Sequence, residues 1–422
     1  MAIALGYEHQ VTISATPPVT THACIFHSRA IGSLRQTIVD AKDIETPTAM
    51  FTVVFNCLLL VILQCFRKSF DDMSIHLQHG LRIAVQSISK CAAAAESPLR
   101  DSFRLLKQYY VAATLFNPLS LQRTVHGASR TSTNQALVNP EDLEAMHDYS
   151  KLMTDDQALE AELQDLILGL IATTLTSRKL QIDSTHSGSS TLAEPLELSP
   201  TLLSKIPAFR TRHEALELAV DERLLSKDAD RKQHFELAKM RCLLIGIYLR
   251  CRWSGYQCHY DTELESFGRI VELAESHLEQ QGQDSTGKLQ ESFVPPVSTL
   301  LGLGTILSFT ARMCRQHALR HRAVGAMQKC PDKNGPWDAK LAIAICKAII
   351  AYEELKTREE DIGSVLTGYI PEHCRVHQYY YHHCSATSGP LKDKLRKELL
   401  RVFRIRKGTK TEFLAEEIEL EI

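Results

Sequence analysis

Along most of this chain, apolar residues recur at the spacing of an α-helix. Phe235, Ala238, Cys242, Ile245 and Leu249 advance by three and four positions in turn, which places them on one helix face. Leu264, Phe267, Val271, Ala274 and Leu278 repeat the pattern. So do Met73, Leu77, Leu81, Ala84 and Ile88 and, later, Leu341, Ile345, Ile349 and Tyr352. Strand-like alternation is scarce. At Ser97-Pro98, Asn139-Pro140 and Ser199-Pro200 a capping side chain precedes a proline, whose missing amide hydrogen costs nothing at the first turn of a helix. The pattern predicts an all-α fold, an array of antiparallel helical hairpins.

Three polar stretches read as loops within that array. Residues 117–140 are rich in Ser, Thr and Asn, residues 183–200 contain Ser187-Gly188-Ser189-Ser190, and residues 279–290 are polar with interspersed glycine. Helical arrays accept such insertions between layers, so one large helical domain is expected over 29–376. Before it, 1–28 reads as a partial helix and a poorly ordered Pro- and Thr-containing segment; after it, 377–422 reads as a C-terminal extension that is first basic, then acidic. The apolar run from Ala49 to Phe66 is interrupted by Asn56 and Gln64. A spanning helix needs about 20 apolar residues, so a buried core helix is expected here and no membrane contact.

Composition narrows the class. The chain has 422 residues, 44% of them hydrophobic, enough to build a core without metal or disulfides. Its formal net charge of −2 gives no overall attraction to nucleic acid. The 12 cysteines form no CxxC pair and lie mostly within apolar helical stretches, the pattern of reduced thiols acting as small hydrophobes. Residues 1–10 lack a basic segment followed by a long apolar one, so no secretory signal is expected.

Motifs for catalysis are missing. There is no GxSxG elbow and no GxGxxG, and the GxxxxGK spacing from Gly282 to Lys288 ends in Leu289 where a metal-binding hydroxyl belongs. No enzymatic activity and no cofactor are expected. His373, Cys374, His377, His382, His383 and Cys384 invite a metal reading, because His373 and His377 would share a helix face. Ile370-Pro371 and the run Tyr379-Tyr380-Tyr381 argue instead for extended backbone without metal, and Cys251, Cys258 and His259 are a weaker set of the same kind.

Charge patterning stands out at the C-terminus. From Leu391 to Lys410 there are nine Lys or Arg against two acids, and the following twelve residues carry five Glu and no base. Lys392, Lys394, Arg396, Lys397, Arg404, Arg406 and Lys407 form a nuclear-import candidate. The plainer reading is an amphipathic helix that packs down Leu395, Leu399 and Val402, followed by an acidic terminal strand or frayed tail that neutralises it.

A set of landmarks in the last quarter of the chain runs in a defined order. It reads Cys314-Arg315, Leu319-Arg320-His321-Arg322-Ala323, Gly335-Pro336-Trp337-Asp338, Glu353-Glu354 and Ile370-Pro371-Glu372-His373-Cys374-Arg375-Val376. With the earlier block from Phe51 through His76-Leu77-Gln78-His79-Gly80-Leu81-Arg82-Ile83, this order resembles the C-terminal helical regulatory region of fungal zinc-binuclear-cluster transcription factors. The resemblance implies a nuclear regulator of transcription dedicated to a metabolic or biosynthetic gene set, with a cytoplasmic helical scaffold as the alternative. Implied partners are other transcription regulators or a small effector, in a homo- or heterodimer. The six-cysteine DNA-binding cluster of that family has no counterpart among these residues, so direct DNA binding is not expected. Residues 1–9 resemble a helix well inside the regulatory region, as if the chain began midway through it. Physically the landmarks read as architectural. Trp337 would fix a helix crossing, Arg315, Arg320 and Arg322 would bridge carboxylates such as Glu353 and Glu354, and Arg375 would do the same from the last loop.

Overall fold

The computed structural model describes residues 47–66 and scattered helical positions between 28 and 109. It then describes 149–170, 204–225, 229–251, 257–283, 302–330, 339–360, 369–383, 398–408 and 413–420, with single positions omitted at 157, 168, 205 and 406. The chain divides into two compact units, one taking in residues 1–114 and the other residues 140–334 and 338–422. The described residues of the C-terminal extension belong to the same unit as the helices from Tyr149 to Glu360.

In the first unit, α1 (Pro47–Phe66) opens on proline, as the first turn of a helix permits. It buries Val53, Val54, Cys57, Leu58, Leu60 and Val61, and burial pushes the Cys57 thiol up to about 11. The apolar stripe Met73, Leu77, Leu81 and Ala84 is buried as its helical spacing predicts. Gly80 lies on the same side of that helix, where a Cβ would stand 2.8 Å from the Cβ of Cys57 and 3.2 Å from Cδ1 of Leu106. Glycine there lets two backbones approach more closely than any larger residue allows. Among the described residues no helix is long and apolar enough to cross a membrane.

The second unit starts with α2 (Tyr149–Thr154) and helical residues 158–167, followed by α3 (Ile206–Leu224) and α4 (Ala229–Cys251). A 3-10 helix at Gln257–Glu263 leads into α5 (Leu264–Gln283), α6 (Leu303–Met313), α7 (His317–Lys329) and α8 (Ala339–Glu360). Elements adjacent in sequence pack on one another: α2 on α3, α3 on α4, α4 on α5. Next, α5 meets both α6 and α7, and α8 closes over α6 and α7. The stripe from Phe235 to Leu249 is buried throughout, as are Leu341, Ile345, Ile349 and Tyr352. Phe267, Val271 and Ala274 are buried too, while Leu264 at the start of α5 is exposed. Phe309 of α6 is a hub for aromatic packing, with the rings of Tyr248, Tyr260 and Phe267 centred 6.1 to 6.5 Å from its own.

Among the described residues the fold is helical apart from one small sheet. After a short 3-10 helix at Glu372–Cys374 come β1 (Gln378–His383), β2 (Glu398–Ile405) and β3 (Phe413–Leu420), antiparallel in the order β1-β2-β3. The tyrosine run is extended, as expected. The basic stretch corrects its amphipathic-helix reading: Leu399 and Val402 lie in a strand, and Leu395 falls outside the described residues. Leu400, Val402 and Arg404 point inward while Arg401 faces water, a period of two that the three-residue step from Leu399 to Val402 obscures. The acidic tail is the expected terminal strand, with Glu417 opposite Arg401. Gly408 turns the chain between β2 and β3 at φ +82°, which only glycine adopts without strain.

Gly80→Ala should lower the midpoint of chemical denaturation, by about 1–3 kcal/mol for overpacking at a tight contact. Gly268→Ala, in the interior of α5 where a Cβ meets nothing within 4 Å, should instead stabilise by about 0.5–1 kcal/mol. Denaturant titrations of the two variants followed by circular dichroism measure both signs.

Candidate functional site

The landmark residues converge where α6 ends. Helix α6 stops at Met313, and Cys314 and Gln316 adopt extended backbone before α7 begins. The Gln316 side chain accepts a 2.6 Å hydrogen bond from the Leu319 amide and caps α7. This corner turns Arg315 inward, and the first turn of α7 places Arg320 beside it; both are buried.

Across from them is Glu353. It follows Ile349 by one helical turn on the buried face of α8, so helix geometry drives its carboxylate into the interior, where it is 0% exposed. Arg315 Nη2 donates to Oε1 at 3.0 Å and Arg320 Nη2 donates to Oε2 at 2.8 Å. The Val376 amide donates to Oε1 at 2.7 Å. Burial alone would raise the Glu353 carboxyl, but the two guanidinia and this amide hold it below the usual carboxylate range. Burial shifts Arg315 downward with Glu353 pulling the other way, and a guanidinium starting from so high a value stays charged. Arg320 also donates through Nε to the Ala311 carbonyl at 3.2 Å, and Arg315 to the Met313 carbonyl at 2.7 Å. One carboxylate thereby ties together α6, α7, α8 and the segment entering β1.

A second clamp completes the region. Arg375 is fully buried and grips Asp261 in a bidentate pair at 3.1 and 2.5 Å. Its Nε donates to the Ile370 carbonyl at 2.7 Å, and its guanidinium lies 5.3 Å from the ring centre of Tyr369. Glu372 accepts 2.7 Å hydrogen bonds from the amides of Gln257 and Cys258 at the start of the 3-10 helix, and lies 2.9 Å from His377 Nε2. Burial works to raise the Glu372 carboxyl. The hydrogen bond and attraction of His377, the Gln257 amide and Arg375 outweigh it and hold the group down at about 2. The guanidinia of Arg315, Arg320 and Arg375 are thus matched by the carboxylates of Glu353, Asp261 and Glu372. Such an arrangement is a clamp: its charges are turned on one another, although Arg315 Nε and Arg320 Nη1 are buried without a hydrogen-bond partner among the described residues. Cys314 beside it is buried, and burial pushes its thiol up.

The remaining landmarks lie around this centre. Arg322 leaves it and makes an exposed bidentate pair with Glu275 of α5 at 3.2 and 2.6 Å. Glu354 points outward toward His317 and His321 rather than toward an arginine landmark. Trp337 and Asp338 lie outside the described residues, as do Lys392, Lys394, Arg396, Lys397 and Arg406 of the basic stretch. Arg404 is buried, with 3.0 Å contacts to Glu360, Glu416 and the Tyr352 hydroxyl. That hydroxyl donates to Glu416 at 2.7 Å, so Arg404 fastens the sheet to α8 instead of presenting its charge to a partner. Lys407 is exposed and donates to the Glu360 carbonyl at 3.0 Å.

His373 and His377 do not share a helix, because the chain runs from a short 3-10 helix into β1 between them. Two clusters bring potential metal ligands together among the described residues: Glu360 with His373 and Cys374, and His317 with His321 and Glu354. In the first, the Arg404 guanidinium already sits 3.0 Å from Glu360 Oε1 and Cys374 is fully buried. In the suspected set near Cys251, the Cys251 thiol donates to the His259 carbonyl at 3.3 Å. Sequence reasoning missed Asp261 and the role of Glu372, which no local pattern marks. It also passed over His317 and His321, although their four-residue spacing on a helix is a readable ligand signal.

Replacing Glu353 by Gln should destabilise the second unit by about 3–5 kcal/mol, because two buried guanidinia lose their counter-charge. Replacing Glu353, Arg315 and Arg320 together by Leu, Met and Met should recover most of that loss, read as denaturant midpoints. Because the folded-state value of Glu372 lies below its ordinary 4.5, its contribution to stability is complete above that value and is lost as pH falls toward about 2. Denaturation midpoints from about pH 6 to about pH 2 should fall steeply for the natural sequence. Glu372→Gln should start lower and change less across the same window.

Comparison of the chain with protein-family models, with curated proteins and with solved structures gave no significant match.

Proposed function

We propose that this chain is a regulator of transcription, dedicated to a metabolic or biosynthetic gene set and acting through protein or effector contacts of its helical surface. What supports the reading is the joint position of the landmark residues. Arg315, Arg320 and Glu353 meet in one buried clamp, and Arg375, 60 positions after Arg315, forms the second with Asp261. A resemblance resting on unrelated surface residues would have no reason to gather them. Their shared role is to hold helices α6 to α8 and the final loop in fixed relation, as a binding surface built from several elements requires.

A second reading, a helical scaffold outside the nucleus, draws on Arg404. Its burial against Glu360 and Glu416 takes one residue out of the candidate import stretch. The two readings part on localisation and on gene expression. A tagged protein should concentrate in the nucleus and lose that distribution when Lys392, Lys394, Arg396 and Lys397 are replaced by Ala with Arg404 left intact. Disruption of the gene should change transcript levels of a restricted set of genes, and Glu353→Gln should reproduce the change. Exclusion from the nucleus with no altered gene set would remove the regulatory reading and favour the scaffold.

A further inference from the structure

We propose that His317, His321 and Glu354 form a site for a divalent transition-metal ion of the zinc class, clasping α7 to α8 at the protein surface. His317 is the first residue of α7 and His321 stands one turn later on the same face. Their rings are 4.3 Å apart between centroids. From α8, Glu354 directs Oε1 to within 2.9 Å of His317 Nδ1 and 3.5 Å of His321 Nε2. One ligating atom from each residue lies within 4.8 Å of the other two.

These spacings suit coordination. Zinc bonds of about 2.0–2.1 Å in tetrahedral geometry set ligand atoms about 3.3–3.4 Å apart, and the two oxygen–nitrogen separations bracket that figure. Two imidazole nitrogens and one carboxylate oxygen are a donor set that favours zinc, copper or nickel over magnesium or calcium. A hydrogen bond to Glu354 would account for His317 alone. His321 approaches the same oxygen with its ring beside that of His317, so two imidazole nitrogens and one carboxylate oxygen converge on one point. Both histidines are exposed, at 68% and 51% of the side chain, so their rings can turn to meet an ion arriving from solvent. The competing cation is weak: Arg358 lies 3.9 Å from Glu354 Oε2 and is itself exposed. At the Glu360, His373 and Cys374 cluster, by contrast, Arg404 occupies the carboxylate from inside the fold.

Glu354 follows Glu353 directly, so an ion here fastens the outer side of the helix pair whose inner side Glu353 holds. The site is independent of the regulatory reading.

Titration of the untagged full chain with Zn²⁺ against a chelating indicator, and with Co²⁺ followed by visible absorption, tests the site. One equivalent should bind, with the Co²⁺ absorption of a low-symmetry four- or five-coordinate site. His317→Ala and His321→Ala should each weaken binding about tenfold or more, and Glu354→Gln several-fold. In metal-free buffer all three variants should keep the denaturation midpoint of the parent to within a small shift. His373→Ala should bind as the parent does. Absence of saturable binding, unchanged affinity in the His317→Ala and His321→Ala double variant, or loss of binding in His373→Ala would overturn the proposal.

Discussion

A carboxylate with no exposure to water needs compensation from its surroundings, and Glu353 draws it from three separate stretches of the chain. Arg315 comes from the corner between α6 and α7, Arg320 from α7 itself, and the Val376 amide from the segment entering β1. The desolvation of such a group is costly, and a well-packed apolar trio could match or exceed its contribution to stability. What the ionic arrangement supplies is direction. A guanidinium pair with a single carboxylate is satisfied in one geometry only, whereas leucines in the same space could slide. Helices α6, α7 and α8 therefore share one register, and the loop from Tyr369 to His377 can close over them in one way.

The same device recurs through the second unit. Arg212 meets Glu162 at 2.6 Å with both side chains buried, Arg241 holds Glu160, and Arg223 reaches Asp156. These pairs link the helical residues around 158–167 to α3 and α4, much as Glu353 links the later helices. At the other end, Arg404, Tyr352 and Glu416 dock the sheet on α8. Apolar stripes place each helix against its neighbour, and buried charge pairs then select among the crossings those stripes would permit.

How much of this could be read in the sequence depended on the range of the interaction. Helix faces were legible because their period is local: Phe235 through Leu249 announce their burial by spacing alone. Charge partners across the fold were legible only in part. Arg315 and Arg320 were expected to meet a carboxylate such as Glu353 and do so, but Arg322 turns to Glu275 and Arg375 to Asp261. Which acid faces which arginine is decided by helix packing that no single segment encodes. The basic stretch misled for a different reason. Leu399 and Val402 fit a helical step, and it is the pairing of β2 with two neighbouring strands that makes the alternation of Leu400, Val402 and Arg404 win. Gly80 resembled one more landmark letter until its distance from Cys57 gave it a steric reason.

Native-state hydrogen exchange at the Val376 amide tests most directly whether Glu353 organises this part of the fold. That hydrogen lies in irregular backbone, and its bond is to a side-chain carboxylate rather than to a helix or strand. If Glu353 is the common anchor, peptides covering 369–377 should exchange as slowly as those from the interior of α6, because they open only when the helices separate. Exchange of that segment at the rate of an unprotected loop, with α6 still protected, would contradict the account.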